Sequence, residues 1–102
     1  MENLVAIQGS VIESDALRYT PAGVPMLKFK LAHRSQQTEA GGNREVGCEI
    51  EAVAFDAQAR LLASAQLGVA VKIKGFLDRK TKTGRALLLH ANEIEFVVTD
   101  KV

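Results

Sequence analysis

A chain of 102 residues with 47% hydrophobic and 25% charged residues has the composition of one globular domain, spanning residues 1–102, with a core large enough to fold alone. A formal net charge of +1 excludes a uniformly charged polyion, and no apolar run approaches the roughly 18 residues of a membrane span. The start, MENLVAIQGS, lacks the basic residues and long apolar block of a signal peptide. The one cysteine, Cys48, permits neither an internal disulfide nor a cysteine-based metal site, so the expected compartment is a reducing cytoplasm.

Asn3 to Ile12 reads as a first strand, with Val5, Ile7, Gly9 and Val11 on one parity and Gly9 marking a bulge or bend. Glu13 to Pro25 reads as a loop, punctuated by two prolines and the Pro21-Ala22-Gly23 turn signal. Met26 to His33 is a second strand, in which Leu27, Phe29 and Leu31 point one way and Lys28 and Lys30 the other. Ser35 to Glu45 is polar and carries Gly41-Gly42-Asn43, which predicts a long flexible connection. Val46 to Phe55 is a third strand, with Glu49 and Glu51 opposite Cys48 and Ile50, so Cys48 is read as a small buried residue. Asp56 is placed to cap a helix over roughly Ala57 to Gln66, and Gly68 to end it. Val69 to Val98 then predicts a long antiparallel hairpin, strands four and five, and the residues after Thr99 read as frayed. Five strands with one helix between the third and fourth is the order of an all-β OB-fold, a partly open Greek-key barrel.

The last hairpin concentrates the charge. From Lys72 to Arg85 there are six basic residues (Lys72, Lys74, Arg79, Lys80, Lys82, Arg85) and one acid (Asp78), a balance of +5; against the total of +1, the rest of the chain sums to −4. A basic finger on a near-neutral protein suits a polyanion. OB barrels receive oligonucleotides across strands two and three and the loops joining strands one to two and four to five. The expected cations are therefore Lys28 and Lys30 on the outer face of strand two, Arg18 in the first loop, Arg34 at the strand end, Lys72 and Lys74 on the wet face of strand four, and Lys80, Lys82 and Arg85 at the tip. Bases ask for flat rings, and these are few: no Trp, one Tyr and four Phe. Phe29 is on the core parity; Phe55 and Phe96 lean towards the core. Phe76 shares the parity of Lys72 and Lys74, where a bulge beside Gly75 or a subunit interface would bury it. Tyr19, beside Arg18, is open to stacking.

Catalytic patterns are missing. There is no Gly-rich phosphate loop, nucleophile elbow or paired-histidine metal motif, so no cofactor and no enzyme is expected. His33 and His90 sit in strand patterns without ligand-spaced neighbours; His33 reads as a strand-edge residue beside the binding face. Glu49 and Glu51 read as a solvated strand face.

Several segments carry a resemblance. Arg18-Tyr19-Thr20-Pro21-Ala22-Gly23-Val24-Pro25, the strand that follows with His33-Arg34-Ser35, Glu39-Ala40-Gly41, Gly75-Phe76 and Leu89-His90-Ala91-Asn92-Glu93-Ile94-Glu95 together resemble the primosomal replication protein N (PriB) family over nearly the whole chain. The resemblance implies a homodimeric OB-fold protein of replication restart that binds single-stranded DNA, assists the PriA helicase and contacts DnaT. It carries Arg18, Arg34, Lys80, Lys82 and Arg85 over to basic positions of that family. Where some members place a Phe and a Trp, this chain has Gly42 and Gly47. The alternatives are a general single-stranded DNA-binding protein, against which the absence of a Gly-rich linker and acidic tail before Val102 is weighed, and an OB module that docks its basic finger on an acidic protein.

Overall fold

The alternating residues become the inner and outer faces of one closed sheet. The computed structural model describes residues 1–98 and contains β1 (Val5–Ser14), β2 (Arg18–Tyr19), β3 (Pro25–Glu39), β4 (Gly42–Phe55), α1 (Ala57–Ala63), β5 (Ala70–Arg79) and β6 (Leu87–Phe96). Neighbours run β1-β5-β6-β4-β3-β2, and a further β1–β3 pairing closes the barrel. Every pairing is antiparallel except β4–β6, where Ala52–Ala54 run parallel to Leu89–Ala91. This is the five-stranded OB-fold expected, with the two-residue β2 added inside what reads as the first loop. Thr20 Oγ1 accepts the Val24 N–H at 3.1 Å and shapes that turn.

Closure depends on β1 serving two partners. Val5 to Ser10 pair with β5, and Ser10 to Ser14 pair with β3. The strand turns from one to the other at Gly9, where a Cβ would strike the Ala32 carbonyl; at Gly75 a Cβ would strike the His90 carbonyl. Both glycines therefore stand where backbones approach too closely for any side chain. Leu27, Leu31, Val71, Ile73 and Leu89 are the fully buried centre of the core, with Val11, Phe29, Ala52, Ala54 and Ile94 around them.

Four sequence expectations are corrected. The polar stretch Ser35 to Glu45 is not a flexible connection: β3 and β4 continue through it, from Ser35↔Val46 to Glu39↔Gly42, and turn at Ala40-Gly41 with φ of 53° and 80°. Left-handed values at both central residues mark a tight two-residue hairpin turn, and the arm is polar because it projects beyond the barrel with both faces in solvent. Cys48 lies opposite His33 on this arm and is exposed, not buried. The helix is shorter than expected, and Asp56 does not cap it. The Asp56 N–H donates to the Pro25 carbonyl at 2.9 Å, extending the sheet, and its φ of 56° leaves the side chain without a capping bond. The helix is held by burying Ala59 and Leu62, and by Gln58 Oε1 accepting the Ile94 N–H at 2.8 Å. Finally, Phe55 and Phe96 are each 39% exposed. Phe55 is on the outer parity, and Phe96 reaches the barrel rim beside the loop after α1. The stretch after Thr99, read as frayed, lies outside the described residues.

Gly75→Ala and Gly9→Ala should each destabilise the fold by about 2 kcal/mol or more, because the added methyl meets backbone that cannot step aside. Gly47→Ala, whose nearest atom is the His33 carbonyl oxygen at 3.8 Å, should stay within about 0.5 kcal/mol of wild type. Urea denaturation measures both; equal stabilities across the three variants would contradict this account of closure.

Candidate nucleic-acid interface

The register puts a continuous set of side chains on the outer face of β2, β3, β4 and β6. Across the strands, Arg18 lies opposite Met26 and Met26 opposite Phe55. Lys28 lies opposite Val53, which neighbours His90, which lies opposite Phe76. Lys30 lies opposite Glu51. Val53 is 2% exposed yet stands apart from the core cluster, because its outward face is covered by its neighbours on this surface.

Three rings form a ladder here. Phe76 stacks on His90 with centroids 4.7 Å apart and planes 9° apart, and Phe55 flanks His90 from the other side at 6.2 Å and 19°. Sequence parity marked Phe76 alone. His90 is turned outward by a bulge: Lys74 pairs with Glu93 and Gly75 with Ala91, so Asn92 is an extra residue in β6 and everything before it changes sides. A pattern that keeps Ile94 inside therefore misassigns His90, and the odd spacing of Leu89 and Ala91 from Ile94 is the signal that marks the bulge.

Beside the ladder the hairpin tip folds over a groove lined by Glu13, Asp15, Lys28, Lys30, Glu51 and Lys80. Lys80 Nζ reaches Glu51 Oε1 at 2.7 Å, and Lys30 Nζ reaches Glu13 Oε2 at 3.0 Å. The hydrogen bond from Lys80, aided by its charge and those of Lys30 and Lys28, holds the Glu51 carboxyl below the usual carboxylate value, while desolvation opposes it. The hydrogen bond to Glu13 and its charge raise Lys30. The tip is ordered by its own polar groups: Arg79 Nη1 donates to the Lys82 carbonyl at 2.8 Å, the Gly84 N–H donates to Thr81 Oγ1 at 3.0 Å, and the Lys80 N–H donates to the Ala86 carbonyl at 2.8 Å. Lys82 and Arg85 are exposed at its end.

Arg18, Lys28, Lys30 and Lys80 are thus brought to one face. Arg34 is exposed further out on the β3–β4 arm, opposite Gly47. Tyr19 is 60% exposed and pairs with Pro25, on the opposite parity from Arg18. Lys72 and Lys74 are not part of this cluster. They lie opposite Glu95 and Glu93 and line a separate depression with Gln58. His33 ties the arm to β1. Its Nδ1 lies 2.6 Å from the Gln8 carbonyl and donates to it, because a carbonyl only accepts. Its Nε2 lies 2.7 Å from Ser35 Oγ, and that hydroxyl oxygen accepts from Gln37 Nε2 at 2.9 Å. Among the described residues no group of three or more His, Cys, Asp or Glu is placed to hold a metal ion, and no helix is long and apolar enough to cross a membrane.

Residues 3–93 match the family described as another single-strand binding protein family. Over 93% of this chain and 88% of the relative, the sequence is 36% identical to the replication restart protein PriB of Nitrosomonas europaea; over 89% and 85% it is 38% identical to that of Bordetella pertussis. The structure is similar to that of PriB from Ralstonia solanacearum, with a TM-score of 0.86 and 33% identity over 94% of this chain and 98% of that one. The single-stranded DNA-binding protein of Thermus aquaticus shares the fold, with a TM-score of 0.75 at 23% identity over 95% of this chain and 50% of that one. With its sequence matched nearly end to end and its barrel superposed, the chain belongs to the replication restart protein PriB family of single-strand binding proteins.

Proposed function

We propose that this protein binds single-stranded DNA across the outer face of β2, β3, β4, β6 and the Phe76 end of β5 and serves replication restart as a cytoplasmic accessory of the PriA helicase, with DnaT as a further partner, rather than as an enzyme. The observation that carries the reading is the joint presence, on one face, of the cations Arg18, Lys28, Lys30 and Lys80 and the stacked rings Phe55, His90 and Phe76. Phosphates ask for the first set and bases for the second. The ladder offers ring surface that Gly42 and Gly47 do not. Arg34 extends the cationic track along the arm, and Lys82 and Arg85 close on the strand from the tip. The PriA and DnaT partners follow from the resemblance alone, and the replication-restart setting from the relatives' name.

Contacts to phosphate carry no sequence information, so base preference is weak. Each phosphate neutralised on a single strand contributes a slope of about −0.7 in log K against log salt, so three or four engaged per subunit give roughly −2 to −3. Replacing Lys80, Lys82 and Arg85 together by Ala, while leaving the anchoring Arg79, should flatten the slope to roughly −1 and lower the stimulation of PriA unwinding on a forked substrate. A triple variant with the wild-type slope would mean that the tip does not touch the strand, and docking on an acidic protein surface would take its place.

We also infer a homodimer. Residues Val5 to Gly9 of β1 pair with β5 on one side only, and this edge, together with the 52% exposed Leu87, gives a second copy backbone and apolar surface to cover. Sedimentation equilibrium at tens of micromolar should return twice the chain mass of 11.0 kDa; the single-chain mass would exclude it.

A further inference from the structure

The groove under the hairpin tip holds as many acids as bases. Lys28, Lys30 and Lys80 face Glu13, Asp15 and Glu51, so at neutral pH the three cations that the strand would use are offset by three carboxylates. Two of the cations are already engaged, Lys30 with Glu13 and Lys80 with Glu51. Among the described residues Lys28 makes no ion pair within 4.0 Å. The Lys80–Glu51 pair spans the groove from the tip to β4, across β6, and so crosses the path assigned to the strand.

We propose that Glu51 is a resident competitor for Lys80: its carboxylate occupies the position of a backbone phosphate in the free protein, and a single strand binds by exchanging a phosphate for it. This deepens the single-stranded DNA reading and rests on it. A carboxylate and a phosphodiester are both oxyanions that accept charge-assisted hydrogen bonds from an ammonium group, so one Lys80 Nζ serves either. The pair also holds the tip down over the groove, so the cation waits in place while its negative partner sets a threshold. Short or weakly charged ligands fail to displace it, and a strand that delivers several phosphates at once succeeds.

The exchange has a proton linkage of definite sign. In the free protein Glu51 is held below the ordinary carboxylate value, mainly by its hydrogen bond from Lys80. The strand removes that bond and adds negative charge, so the Glu51 pKa rises on binding and protons are taken up. Affinity therefore increases as pH falls. The other charged groups lining the groove around Glu51 are Lys28 and Lys30 from β3, Glu13 from β1 and Asp15 from the following loop. The diagnostic quantity is the difference in pH dependence between wild type and the Glu51 variant.

The test is a double-mutant cycle read by titration of labelled oligo-dT. Glu51→Gln keeps the shape and removes the charge; it should tighten binding roughly fivefold at low salt and reduce the gain in affinity on acidification. In a Lys80→Ala background the same substitution should change affinity less than twofold, because there is no cation left to release. A fivefold gain that persists without Lys80 would mean that Glu51 only repels phosphates at a distance, and an unchanged affinity in Glu51→Gln would remove it from the site; either result overturns the exchange while the DNA-binding reading stands. Wild type and Glu51→Gln both failing to bind oligo-dT would overturn the two together.

Discussion

Between Lys74↔Glu93 and Gly75↔Ala91, β6 carries one residue more than β5, and that extra residue, Asn92, determines what the barrel shows to solvent. Without it a strand with Ile94 facing inward would turn Leu89 and Ala91 outward and bury His90. With it Leu89 and Ala91 complete the core beside Ile73 and Leu27, and His90 emerges between Phe55 and Phe76. The same few residues are where the β6 backbone at His90 and Ala91 crowds Gly75 of β5, which is why position 75 has no room for a side chain. The β6 contribution to the core and the outer aromatic surface are thus set by one irregularity in the β5–β6 ladder.

The outer face works as two adjoining strips. One is apolar and aromatic, built on Val53, Phe55, His90 and Phe76. The other is ionic, built on Lys28, Lys30, Lys80 and their acids. Separating them lets each be strong in its own way: rings gain from excluding water, and exposed ion pairs remain exchangeable because solvent screens them. The hairpin tip connects the strips, since Lys80 belongs to β5's outward parity and reaches Glu51 across β6. The arm of β3 and β4 adds Arg34 beyond the barrel, held at its root by His33 on the Gln8 carbonyl.

Much of this was legible in the sequence because burial imposes a period. Leu27, Phe29 and Leu31 against Lys28 and Lys30, and Val71 and Ile73 against Lys72 and Lys74, gave the strands and their faces; Gly9 gave the bend. Where burial stops, the signal stops. The arm from Ser35 to Glu45 has no apolar face, so its polar residues read as loop although its backbone ladder is complete. Cys48 alternates with Ile50 as if buried, yet it sits beyond the end of the core. Charge counting along the chain joined Lys72 and Lys74 to the tip, whereas across the sheet they face Glu95 and Glu93. It also missed Glu13, Asp15 and Glu51, distant in sequence, as the groove's counter-charges. The ladder could not be read from parity, because an insertion in the partner strand changes it.

The central claim is that the single strand lies over the outer face of β3, β4 and β6. The most direct measurement is a chemical-shift map of the isotopically labelled protein titrated with oligo-dT. Shifts should concentrate at Lys28, Lys30, Val53, Phe55, His90, Phe76 and the 80–85 tip, with Lys72, Lys74, Glu93 and Glu95 little changed. Shifts centred on Lys72, Lys74, Glu93 and Glu95, with the ladder silent, would contradict it.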